Sequence, residues 1–336
     1  MIKYNNLNIN DWCHNNSDIS KVYHNGAVCY YKIASEKPPT PHDYSQDYLT
    51  FRALESGTFK FSGNSVDYSV DNGTTWTSLA SNTSSPTVSA GNKIMWKATG
   101  LTPTSSGIGK FSSTGSFEVE GNVMSLYFGD NFSGQTDLTG KNYAFYGLFS
   151  HCTGMTSAVN LVLPATTLTT YCYSYMFSSC TSLTTAPTLL ATTLAKYCYS
   201  YMFKGCTSLT TAPELPATTL SDFCYQGMFN GCTSLTTAPT LLATTLVNGC
   251  YINMFDGCSN LTGITCLATN ISAQNCTYRW VNGVAASGTF TKAASMSSWT
   301  TGTSGIPSGW TVVNDKNNDT PPELVGGDDG GYEELE

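Results

Sequence analysis

The chain has 336 residues, only 11% of them charged, and a net charge of −8. Residues 315–336 hold eight acidic side chains and one Lys, a net of −7, so the rest sits near −1 and offers no basic field for a nucleic-acid backbone. No apolar run reaches the roughly 18 residues of a membrane-spanning helix, and the start (MIKYNNLNINDWCHNNSD) lacks the basic and apolar regions of a signal peptide. The surface is left to Thr, Ser, Asn, Gly and Tyr, a composition suited to an extracellular β-rich protein. Export within a particle released by lysis is therefore expected, unless the native start lies elsewhere.

Residues 1–34 read as a small N-terminal module. Its clearest feature is a hairpin in Ile19–Lys32, with Asn25-Gly26 as the turn between two strand-like runs. Residues 35–47 read as a linker, because Pro38, Pro39 and Pro41 hold the backbone extended and donate no ladder bonds. From 48 to 122, short alternating runs such as Leu49–Leu54, Thr58–Phe61, Val66–Val70 and Lys93–Ala98 recur about every ten residues. They predict an immunoglobulin-like β-sandwich of about seven strands. Within it, Ser69-Val70-Asp71-Asn72-Gly73-Thr74-Thr75-Trp76 fits S-x-D-x-G-x-x-W, a pattern similar to the Asp box of sialidase propeller blades. It occurs once and without a blade-length repeat, so a structural hairpin is expected: Asp71 accepts backbone N–H groups, Gly73 supplies a positive φ and Trp76 packs beneath.

Residues 123–284 contain a repeated sentence. Cys180, Cys206, Cys232 and Cys258 are spaced by 26, as are Cys172, Cys198, Cys224 and Cys250. A fixed period of this size signals a stacked array. Leu, Cys, Met and Cys fall four apart in Leu168–Cys180 and again in Leu194–Cys206, which predicts a short helix per unit with that stripe buried. On such a helix Cys172 and Cys180 would lie about 12 Å apart, beyond the ~7 Å of a disulfide. The eight helix cysteines are therefore expected to be buried thiols forming a structural core, with bridges between equivalent cysteines of neighbouring units as the alternative. Each helix is followed by T-S-L-T-T-A-P, where the proline imposes an extended chain and a weak strand. Residues 123–140 are expected to cap the start of the array, residues 285–314 to cap its end, and residues 315–336 to be a disordered acidic tail.

The units carry an aromatic-x-x-Cys-x-x-Leu core, for example Phe177-Ser178-Ser179-Cys180-Thr181-Ser182-Leu183. This resembles the BspA-like leucine-rich repeats. The order of hairpin, sandwich, repeats and Trp-rich end looks like proteins encoded by phages and prophages of gut Bacteroidales. The fold class that follows is mixed β plus an α/β leucine-rich-repeat solenoid of 26-residue units. The resemblance implies a virion appendage protein that binds a host-surface protein or glycan. Its N-terminal module would attach to other virion proteins. A bacterial cell-surface adhesin is the alternative, and homo-oligomerisation is open.

Positions that vary between units are not needed for stacking. Tyr175 and Tyr201 belong to one such column, and Lys204, Asn230 and Asp256 to another. The recurring Tyr173, Tyr199, Tyr225 and Tyr251 add rings with large contact area, so these nine residues form the candidate binding surface. Packing between neighbouring units is the competing reading for the recurring tyrosines. No GxSxG, HExxH, P-loop or dinucleotide fingerprint is present. Catalytic residues, cofactor and metal ligands are accordingly not expected.

Overall fold

The computed structural model describes the strand backbones Lys3–Tyr4, Leu7–Asn8, Ile19–His24 and Ala27–Lys32, then residues 42–297 and 299–315. The Asn25-Gly26 turn, most of the proline-rich segment and nearly all of the acidic tail lie outside the described residues. The chain divides into two compact units, Met1–Asp43 and Tyr44–Glu336. In the first, β1 (Lys3–Tyr4) pairs antiparallel with β2 (Leu7–Asn8), and β3 (Ile19–His24) with β4 (Ala27–Lys32), in a register that places His24 opposite Ala27.

The second unit is β-rich. Seven strands lie between 49 and 122: β5 (Leu49–Ala53), β6 (Phe59–Phe61), β7 (Val66–Ser69), β8 (Thr77–Leu79), β9 (Lys93–Lys97), β10 (Phe111–Ser113) and β11 (Phe117–Asn122). An eighth, β12 (Met155–Val162), comes from beyond that segment and adds to β11 in parallel, giving a six-stranded sheet in the order β12-β11-β5-β9-β7-β8. β6 and β10 form a separate pair. The two layers are joined by aromatic rings: Phe51 of β5 lies 5.3 Å from Phe59 and 4.9 Å from Phe111, and Trp96 of β9 lies 5.1 Å from Phe111. Such edge-to-face and tilted contacts each contribute about 0.5–1.5 kcal/mol beyond burial. The S-x-D-x-G-x-x-W segment is a tight turn. Asp71 accepts from the Thr75 amide (2.9 Å) and hydroxyl (2.6 Å), and Trp76 Nε1 donates to the Gly73 carbonyl (3.1 Å). These bonds hold the Asp71 carboxyl well below the usual range, at about 2.

The boundary expected at residue 122 is thus not a break, because the parallel pairing of β11 with β12 carries the sheet into the repeats. Nor does the linker reach 47. Tyr44–Gln46 is a 3-10 turn, and the Asn122 side chain donates to the Ser45 carbonyl at 3.0 Å.

The repeats depart from the expected helices. The one α-helix among the described residues is the four-residue α1 (Ser125–Phe128), ahead of the array. Each cysteine-rich segment is instead a ribbon of turns whose amides alternate in partner. In the unit from 171 to 180, the N–H groups of Cys172, Ser174, Met176, Ser178 and Cys180 reach back three residues, to the carbonyls of Thr169, Tyr171, Tyr173, Tyr175 and Phe177. Those of Tyr171, Tyr173, Tyr175, Phe177 and Ser179 donate to Lys196, Cys198, Ser200, Met202 and Lys204 of the next unit, at 2.6–3.2 Å. The same ladder runs from 143–151 through 249–257. Helical i−4 bonding would keep all amides within a unit; here half of them couple neighbours, as in a sheet.

The threonine segments pair weakly. Isolated bridges join Ser157 to Thr185, Thr185 to Thr211 and Thr237 to Gly263, because proline at 187, 213 and 239 removes a donor and limits each pairing to a residue or two. Longer pairing returns at the end, where β13 (Gly263–Cys266), β14 (Thr289–Lys292) and β15 (Thr311–Asn314) form a parallel three-stranded sheet. Trp280 and Trp310 are buried there, their indole N–H groups donating to the carbonyls of Gly305 and Ala285, both at 2.8 Å.

Candidate functional site

The ribbon has a corner at every fourth residue, where the backbone is left-handed. In the first three units the corners are Tyr143, Gly147 and His151, then Tyr171, Tyr175 and Ser179, then Tyr197, Tyr201 and Gly205, with φ between 55° and 72°. In the next two they are Phe223, Gly227 and Gly231, then Gly249, Asn253 and Gly257. Of the three residues between corners, the first two are buried in every unit, so the inner face is one continuous core, whereas the third is buried at Ser174 and Ser200 and reaches the surface at Lys204. That geometry explains the four-residue spacing of Leu, Cys, Met and Cys without a helix.

Two aromatic columns run inside it. Phe145, Tyr173, Tyr199, Tyr225, Tyr251 and Trp280 stack at 5.6–6.2 Å, and Phe149, Phe177, Phe203, Phe229 and Phe255 at 5.3–5.7 Å. Tyr173, Tyr199, Tyr225 and Tyr251 are therefore core and not surface. Their place in the candidate binding surface is corrected: each is the second of the three residues between two corners, a position that is buried in every unit. The cysteines also line the core, all as free thiols. Cys180, Cys206, Cys232 and Cys258 each donate S–H to the carbonyl of a Phe in the unit before, at 3.0–3.1 Å. Burial pushes the thiols of Cys172, Cys224 and Cys258 up to about 12 and raises those of Cys180, Cys198, Cys206, Cys232 and Cys250 as well, so they stay protonated and unreactive.

The corners make the outer edge. Tyr143, Tyr171, Tyr197 and Phe223 stack at 4.4–4.7 Å, with ring planes within 9°. Tyr175 stacks on Tyr201 at 4.9 Å, and Tyr146 lies 5.4 Å from Tyr175. All of these rings are partly exposed. Partial burial and the neighbouring Tyr201 phenol push the Tyr175 hydroxyl up to about 12, leaving a neutral donor and acceptor. The Lys204 ammonium stands 5.4 Å from the Tyr201 ring. Of the other proposed surface residues, Asn230 and Asp256 are partly buried further along. Asp256 accepts from the Asn282 side chain at 2.7 Å and faces Arg279 at 3.7 Å, so the structure does not bring them into the Tyr175 cluster.

A cleft of about 270 Å³ opens where the strands of residues 49–122 meet the first units, lined by Lys110, Tyr146, His151, Tyr175, Ser179 and Lys204 together with Gly147, Ser150 and Ser178. Lys110 directly precedes β10, 94 positions before Lys204, and no local pattern links the two. His151 and Ser179 do carry a readable signal: they occupy a corner that later units give to Gly205, Gly231, Gly257 and Gly283. Among the described residues, no group of three or more His, Cys, Asp or Glu side chains is placed to hold a metal ion, and no helix is long and apolar enough to cross a membrane.

Comparison with protein-family models, with curated proteins and with solved structures finds no match to this chain.

Proposed function

We propose that this chain is a non-enzymatic binding protein of the virion appendage type. In this reading a leucine-rich-repeat solenoid behind an immunoglobulin-like sandwich presents its outer edge to a host-surface protein or glycan, and the N-terminal module joins the chain to other virion proteins. The observation that carries the reading is where aromatic side chains occupy left-handed corners. Tyr175 and Tyr201 hold φ of 57° and 55° at a position that Gly147 and Gly227 fill in the flanking units. A non-glycine residue in that conformation costs about 1–2 kcal/mol. Glycine fills the same corner in flanking units, so the left-handed backbone at Tyr175 and Tyr201 points to a role for the rings beyond closing the turn. Exposed, stacked tyrosines give large contact area at low side-chain entropy, and the cysteines, buried and protonated, supply no chemistry.

The test is binding of the fluorescently labelled full chain to intact Bacteroidales cells by flow cytometry, with mass spectrometry of purified virions beside it. Saturable binding to a subset of strains, together with the chain in virions, is the expected result. Binding with the chain found in cell envelopes instead of virions would favour the adhesin. No binding to any strain would overturn the reading.

A further inference from the structure

We propose that the cleft between the sandwich and the first repeats binds an acidic saccharide, its sugar ring packed against the exposed edges of Tyr146 and Tyr175 and its carboxylate or sulfate held by Lys110 and Lys204. This rests on the reading of the repeat edge as a binding surface and names its ligand. Three independent features meet in the cleft. The first is charge. Two ammonium groups from separate elements line it, no carboxylate does, and among the described residues neither lysine makes an ion pair. Both ammonium groups line the cleft without a carboxylate beside them, so an anion entering it would meet positive charge from two sides.

The second is the aromatic floor. Tyr146 and Tyr175 line the cleft with partly exposed rings, Tyr201 being stacked on Tyr175 at 4.9 Å, and the exposed part of the pair suits packing against the C–H side of a pyranose. The third is strain. His151, Tyr175 and Ser179 all stand at left-handed corners, with φ of 65°, 57° and 61°. Equivalent corners in later units are mostly glycine. At the third corner, His151 and Ser179 line the cleft where Gly205, Gly231, Gly257 and Gly283 follow. Their imidazole, phenol and hydroxyl groups match the mixed donors and acceptors of sugar hydroxyls. Gly147 keeps the wall low: a Cβ there would come 3.6 Å from Lys110 Cε and 3.7 Å from Ser150 Cβ. The volume falls just below the ~300–1,000 Å³ of drug-sized pockets, which suits one sugar residue of a longer chain and excludes a nucleic-acid duplex.

The experiment is calorimetric titration of the full chain with three tetrasaccharides, a galacturonate, a sulfated glycosaminoglycan and a neutral galactan, and with inorganic sulfate. One or both acidic tetramers should bind, at least about tenfold more tightly than the neutral tetramer or sulfate, the size expected for one charge-assisted contact. Affinity should fall as salt rises. Lys110→Ala and Lys204→Ala should each weaken it about tenfold while leaving the thermal midpoint unchanged, because both side chains are exposed. Equal affinity for acidic and neutral tetramers, no binding of either acidic tetramer, or undiminished binding by the double variant would each overturn the proposal. Binding of sulfate as tight as the tetramers would overturn its saccharide part. If the double variant still binds cells like the parent, this proposal fails and the surface reading stands; if the parent binds no cells, the surface reading itself fails.

Discussion

Phe203→Ala is expected to lower stability by about 3–5 kcal/mol, the range for emptying a large aromatic site in a core. The ring is fully buried between Phe177 at 5.3 Å and Phe229 at 5.7 Å, with planes within 4° of both. Its removal leaves a gap that the backbone cannot close, because the amides of Phe203 and Gly205 are tied to Met228 and Asn230 of the next unit at 2.9 and 2.7 Å. In a linear array each unit touches only its neighbours, so a gap in the middle also uncouples the two halves. Urea unfolding followed by tryptophan fluorescence should therefore shift to lower denaturant and broaden or split, since Trp280 and Trp310 report on the far end. A shift below about 1 kcal/mol, the size of an ordinary surface change, would mean that the column does not hold the array together.

Gly227→Ala is the second large effect, about 2–5 kcal/mol. Two penalties combine. The left-handed backbone (φ 58°) disfavours any side chain by about 1–2 kcal/mol. The new Cβ would also stand 2.2 Å from Tyr201 Cε1 and 2.4 Å from Cδ1. To escape, the ring must leave its stack on Tyr175 at 4.9 Å and its hydrogen bond from the Gln226 amide at 3.3 Å, an overpacking strain of about 1–3 kcal/mol. Gly140→Ala separates the two: φ is 78°, and nothing lies within 4 Å of its Cβ. Thermal unfolding should show only the backbone penalty at Gly140 and a clearly larger loss at Gly227. Equal losses would show that the Tyr201 ring yields freely and that the outer stack is not rigid.

The 26-residue period, the buried cysteines and the rough strand set between 49 and 122 are legible in the sequence because each depends on residue type and spacing. The ribbon is not. A repeat of four apolar residues suits a helical face and equally a chain with a left-handed corner every fourth residue. What separates them is glycine: Gly227 with Gly231, and Gly249 with Gly257, would each sit inside a helix at about 1 kcal/mol per residue, and they recur at corner spacing. Misreading the ribbon misplaces the Tyr173 row, since on a helix those rings could face out, whereas in the ribbon the first two residues between corners are buried. Tyr175, Tyr201 and Lys204 were found from their variation between units. Lys110 and His151 were not, because Lys110 reaches the cleft only through the strands of residues 49–122, whose fusion to the array depends on the long-range pairing of β11 with β12. Of the residues of the candidate binding surface, four rings are core, Tyr175, Tyr201, Asn230 and Asp256 are partly buried, and Lys204 is exposed.

The central claim is that the rings at the left-handed corners are kept for binding and not for the fold. It is tested by comparing the Tyr175→Asn, Tyr201→Asn double variant with the parent, measuring cell binding and thermal midpoint on the same preparations. Asn is the residue that the array itself places at this corner in Asn253, with φ 52°, and it tolerates the conformation. Relief of about 1–2 kcal/mol of backbone strain per site offsets the ~0.5–1.5 kcal/mol lost with the ring stack. The midpoint should stay close to that of the parent while binding is lost. A variant that unfolds at much lower temperature yet, while folded, binds cells as well as the parent would contradict the claim and return both tyrosines to the structural core.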